Sequence, residues 1–230
     1  MYLLYRMFRA PAGIFLFCAF VASLLVSLSI TLPTLPGMDL VRVRLNQTGD
    51  LPGILSISNT TATEGISEIR YGVWAACYYP VNSTNRACLP SGLGYNVTVQ
   101  LTNGNASTST TVTAAWTKML VGHPISSGVI ALAVPLSFWK STPILGMFFS
   151  VLSFIAAVAT LVIDIAFSLN LRTQIKKLDS GANTHLSIGF GVWVIALAGV
   201  ILAIFFLWCG RRVAARNKRL LPLAAATGKI

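Results

Sequence analysis

The sequence predicts an all-α membrane fold carrying a small β domain: a left-handed bundle of four transmembrane helices capped by an antiparallel sheet. Three observations lead to it. Of 230 residues, 55% are hydrophobic and 10% charged, with mean hydropathy +0.73, whereas about a quarter of a soluble domain is charged. Four runs are long and apolar enough to cross a hydrocarbon core of about 30 Å, which takes roughly 20 helical residues. Between the first two runs the pattern changes to the two-residue alternation of strands. Together these exclude a soluble enzyme, a disordered tail and a disulfide-stapled mini-domain.

The elements follow in order. Residues 1–11 form a short N-terminal segment with Arg6 and Arg9, and 12–32 form an uncharged first helix. That run is longer than a signal-peptide core, and no small-x-small site precedes a polar stretch, so it is expected to stay as a helix. The second helix, 119–139, lies between Lys118 and Lys140. A tight hairpin at Lys140 leads to the third, 144–170, whose one ionisable residue is Asp164. A short loop, 171–185, precedes the fourth helix, 186–210, and a basic tail occupies 211–230.

Basic residues set the orientation. With both termini and the Lys140 hairpin in the cytosol, that side carries nine Lys and Arg and no acid, while the outer side carries eight bases and five acids. The net charge of +11 is therefore a topology signal, and no nucleic-acid partner is expected. Arg211, Arg212, Arg216, Lys218 and Arg219 are placed to meet anionic lipid, at about 1 kcal/mol per residue. Five sequons agree with this orientation. Asn46, Asn59, Asn82, Asn96 and Asn105 all fall within 33–118, the segment expected to be an extracellular, glycosylated β domain.

In that segment Val41, Val43 and Leu45 alternate with arginines, and Leu55 and Ile57 with serines. Ile69, Tyr71 and Val73 form a third alternating run, and Tyr95, Val97, Val99 and Leu101 a fourth. Glycines and prolines between the runs mark turns. Cys77 and Cys88 are the two cysteines of the segment, and an extracytoplasmic compartment would oxidise such a pair, two free thiols being the alternative. Cys18 reads as a packing residue of the first helix. Cys209, beside Arg211, reads either as a packing residue or as a palmitoylation site.

Gly72-Val73-Trp74-Ala75-Ala76-Cys77, followed by Cys88, resembles the Gly-Leu-Trp-x-x-Cys…Cys signature of the claudin superfamily, in the corresponding loop of a four-span chain. His123-Pro124-Ile125 at the second span, Asp164 in the third and the Leu178…Gly189…Trp193 run into the fourth resemble the fungal branch, the PalI and eisosomal claudin-like tetraspans. The signature residues are Gly72, Trp74, Cys77 and Cys88. Two departures bear on function: no tryptophan precedes Trp74, unlike the animal claudins that form junction strands, and the tail after Gly210 is short. The resemblance implies a claudin-like bundle in the plasma membrane that organises other membrane proteins. It would act in microdomains that affect the cell wall and endocytosis, or beside an ambient-pH receptor. The alternative reading is an auxiliary subunit of a large membrane enzyme, such as a cell-wall polysaccharide synthase; a channel or carrier is a weaker third.

Small residues at four-residue spacing, such as Ala19, Ser23 and Ser27 or Gly199 and Ala203, suit close helix packing. Asp164 and His123 are the intramembrane polar residues, and such residues are functional candidates by default. Asp164 reads either as an interfacial residue or as a packing and coupling site. No nucleophile–base set, metal-spaced cysteine and histidine cluster or phosphate-binding loop is present, so no enzyme activity, cofactor or metal is expected. The expected partners are membrane lipids and other integral membrane proteins, among them related tetraspans, a pH receptor or a synthase.

Overall fold

The computed structural model describes residues 2–28, 38–44, 54–57, 66–81, 86–103, 106–139, 143–178 and 182–226. The described residues form five helices and eight strands. The helices are α1 (Tyr2–Leu28), α2 (Ala114–Met119), α3 (Gly122–Phe138), α4 (Pro143–Leu178) and α5 (Ile188–Ala226). Seven strands lie between α1 and α2: β1 (Val41–Arg44), β2 (Ile54–Ile57), β3 (Ile66–Tyr71), β4 (Ala76–Pro80), β5 (Ala87–Cys88), β6 (Val97–Asn103) and β7 (Ala106–Val112). The last, β8 (Asn183–Leu186), joins α4 to α5. Among the described residues four segments are long and apolar enough to cross a membrane: Phe8–Leu28, Ala114–Phe138, Ile144–Leu178 and Ile188–Val213. This is a multi-pass membrane protein.

The antiparallel strands are shared between two sheets, ordered β5-β4-β3-β1-β8 and β2-β6-β7. Alternation in β1 serves its purpose: Val41 and Val43 are buried while Arg42 and Arg44 point away from the core. β4 and β8 show no alternation in sequence. Ala76, Cys77 and Tyr78 of β4 are all buried, and β8 is polar and stands at the sheet edge, held by its ladder to β1. β7 is a run of serine and threonine, whose branched threonines suit a strand.

Several boundaries differ from those expected. The first helix already begins at Tyr2 rather than 12, and its expected end at 32 lies outside the described residues. The second span is broken at Leu120–Val121, because a continuous helix would drive the Pro124 ring into the Leu120 carbonyl; the His123 N–H donates to that carbonyl instead. The third helix runs to Leu178 rather than 170. Beyond the apolar run, Leu171 and Ile175 stay fully buried and Leu178 packs beside them, so the i, i+4, i+7 stripe still has a core to fill. The tail expected from 211 is helical to Ala226, consistent with its Ala, Leu, Arg and Lys content. The loop expected over 171–185 also supplies most of β8.

The chain divides into two compact units. One comprises residues 1–23, 125–158 and 194–230, and its core joins Ala12, Leu16, Ala19, Ile130, Ala133, Ala196, Val200 and Ala203. Small residues carry the close approaches there: a Cβ on Gly199 would lie 3.2 Å from the Phe15 carbonyl oxygen. The other unit comprises 24–124 and 159–193 and holds both sheets. Its core runs from Val41, Val43, Ile69, Tyr71, Val97 and Val99 of the strands to Phe167, Leu171 and Ile175 of α4.

Candidate functional site

The sheet-bearing unit concentrates the polar chemistry. The Gly72–Cys88 signature folds as the β3–β4 turn and the β4–β5 pair. Gly72 N–H donates to the Ala75 carbonyl at 3.1 Å, and the Tyr95 hydroxyl donates to the Gly72 carbonyl at 2.7 Å. Cys77 and Cys88 are ladder partners and form a disulfide. The half-buried Trp74 uses its indole N–H on the Ser27 carbonyl, at 2.6 Å. The tryptophan thus ties the turn of the sheet to the first helix.

A second cluster was not legible as one. His123 at the start of α3 and Asp164 of α4 meet at 3.0 Å, Nε2 to Oδ1, with side-chain exposures of 0% and 1%. The edge of the Trp193 indole packs on the imidazole, with ring centroids 4.5 Å apart and planes at 72°. Asp164 is therefore buried within the protein, where it joins α4 to α3. Its Oδ2 and the Trp193 Nε1 have no hydrogen-bond partner among the described residues, which makes this a polar node with donor and acceptor capacity in reserve. Gly122 permits the approach of α3 to α4: a Cβ there would stand 3.1 Å from Thr160 Oγ1. The one sequence signal for the pair was that an acid and a histidine both occur within apolar spans.

The polar face of the five-stranded sheet carries a charge network absent from the sequence reading. Glu68 receives Arg42 at 3.0 Å, Arg70 at 2.6 Å and Arg44 at 3.5 Å, and Arg42 also reaches the buried Asp39 at 3.1 Å. The hydrogen bond to Asp39 is the main cause that holds the Arg42 pKa above its ordinary value, against the opposing effect of burial. Asp39 also fixes the start of α5, since its carbonyl accepts from Gly189 N–H at 3.1 Å.

The remaining sequence candidates fall as follows. Asn96 is exposed, and its side-chain oxygen accepts from the Ala114 N–H that opens α2. Asn46, Asn59, Asn82 and Asn105 lie outside the described residues, as do the side chains of Lys218 and Arg219. Arg211, Arg212 and Arg216 are exposed on α5. Cys18, expected to pack within the bundle, is exposed on α1, and Cys209 is half-buried. Arg9 is buried and donates to the Trp139 carbonyl just after α3, at 3.1 Å. No three His, Cys, Asp or Glu side chains converge among the described residues.

The family model described as the SUR7/PalI family matches residues 8–206. No curated protein matches the chain.

Proposed function

The chain belongs to the SUR7/PalI family, and from that premise we propose that it acts without catalysis, as a plasma-membrane tetraspan that organises or supports other membrane proteins. One observation carries this reading. His123 and Asp164, of the second and third spans, are turned inward on one another, while Ile125, Leu132, Ile155, Val162, Ile195 and Phe205 leave apolar side chains exposed. Within a bilayer such faces meet acyl chains or other spans. The basic ends of the helices favour cytoplasmic termini. An organiser of eisosome-like microdomains that bears on the cell wall and an accessory of an ambient-pH receptor are two forms of the same activity. An auxiliary subunit of a polysaccharide synthase is the alternative.

Purification from native membranes in mild detergent, with mass spectrometry of what accompanies the chain, tests the proposal. A substoichiometric set of related tetraspans and scaffold proteins supports the microdomain form. One large membrane protein at fixed ratio supports a dedicated accessory, and its identity chooses between receptor and synthase. A chain that runs alone at every detergent concentration overturns the reading.

A further inference from the structure

Trp208, Arg211, Arg212 and Ala215 lie at i, i+3, i+4 and i+7 on α5 and so share one helix face. With Met147 of α4 they line a depression of about 330 Å³. The Arg212 guanidinium lies 4.1 Å from the centroid of the Trp208 ring. Arg211 directs Nη1 to the Met147 thioether at 2.9 Å. A thioether is a weak acceptor, and a guanidinium carries five N–H donors, so both arginines retain strong donors to offer.

Nothing in their own unit neutralises them. All six Asp and Glu of the chain, at 39, 50, 64, 68, 164 and 179, lie in the sheet-bearing unit. The segments that make up the other unit hold nine Lys and Arg and no acidic side chain. Their own unit therefore supplies no carboxylate side chain as counter-charge. The depression sits where the apolar span Ile188–Val213 ends, the level at which tryptophan and arginine meet lipid headgroups.

We propose that this depression is a binding site for one anionic phospholipid. Arg211 and Arg212 hold its phosphate, and Met147, Trp208 and Ala215 receive the first methylenes of an acyl chain. The apolar wall selects a lipid over a soluble phosphate. The Trp208 face, on which a choline group would dock by cation–π attraction, is already covered by Arg212, so phosphatidylcholine is disfavoured.

The test uses the full chain in phosphatidylcholine nanodiscs doped with phosphatidylserine, and reads the lipid retained on the protein by native mass spectrometry. Phosphatidylserine should be retained selectively. R211Q/R212Q should lower that selectivity roughly thirtyfold, and W208L should lower it with no change in charge. R211K/R212K should keep most of it. R86Q, which removes one positive charge from the sheet-bearing unit, should leave it unchanged. Oxidation of Cys77–Cys88 and a monodisperse elution profile certify that each variant is folded. Equal retention of both lipids, or a loss that tracks the number of charges removed whatever their position, overturns the site. Displacement of the lipid by soluble glycerophosphoserine also overturns it, since the acyl contact would then contribute nothing.

Discussion

His123 Nε2 and Asp164 Oδ1 lie 3.0 Å apart, joining residues 41 positions distant in sequence, and neither side chain is more than 1% exposed. Removing one member of such a pair leaves the other buried without its partner. Asp164→Leu and His123→Leu should each destabilise the protein by about 3 kcal/mol or more. The double variant should cost less than the sum, with a coupling of roughly 1–3 kcal/mol. Thermal unfolding in detergent, read across the double-mutant cycle, measures it; additive effects would show that the contact contributes no energy.

Two glycines of α5 should respond oppositely. A Cβ on Gly189 would stand 2.7 Å from the backbone oxygen of Asp39, whereas one on Gly191 meets nothing within 4 Å. Gly189→Ala should cost about 2 kcal/mol by displacing Asp39 and the charge network it anchors. Gly191→Ala should be neutral or add up to about 1 kcal/mol of helix stability. Parallel melting curves decide, and equal effects would mean that the close approach at Gly189 does not constrain the fold.

Loss of the disulfide removes a cross-link between residues 11 apart. Cys77→Ser should destabilise the sheet-bearing unit by about 3 kcal/mol and reduce delivery to the cell surface. Surface biotinylation together with a thiol-labelling shift tests both effects; unchanged delivery of the serine variant would count against a structural role for the pair.

Tyr71 and Tyr95 link stability to alkaline pH. Burial raises both pKa values above the ordinary 10.0. For a group whose folded pKa is raised, the stability is fully present below the unfolded value and is lost as pH rises above it. The sheet-bearing unit should therefore hold through neutral pH and unfold from about pH 10 upward, with tyrosinate absorbance appearing together with unfolding. The hydroxyls themselves differ. Tyr95→Phe loses a 2.7 Å bond to the Gly72 carbonyl and should cost about 1 kcal/mol. The Tyr71 hydroxyl has no partner among the described residues, so Tyr71→Phe should be neutral or stabilising. Gradual tyrosine ionisation with the fold intact would contradict the linkage.

The sequence by itself determined the four spans, the antiparallel strands β1, β2, β3 and β6, and the Cys77–Cys88 pair. Each of these rests on a local property: the length of an apolar run, a two-residue alternation, or two cysteines within one segment. The split at Leu120–Val121 was also open to sequence reading, since Pro124 carries it. Only the tertiary structure decided that His123 faces Asp164 and Trp193, that β8 from the third connection completes the sheet of β1, that Glu68 gathers three arginines, and that the Trp74 indole donates to the Ser27 carbonyl of α1. These contacts depend on how each helix is rotated about its axis and on the register in which distant strands pair. Rotation and register are set by the packing of the whole core, to which many residues contribute small and similar energies. A lone polar residue in an apolar run announces that it needs a partner, but the identity of that partner emerges only once the segments are packed.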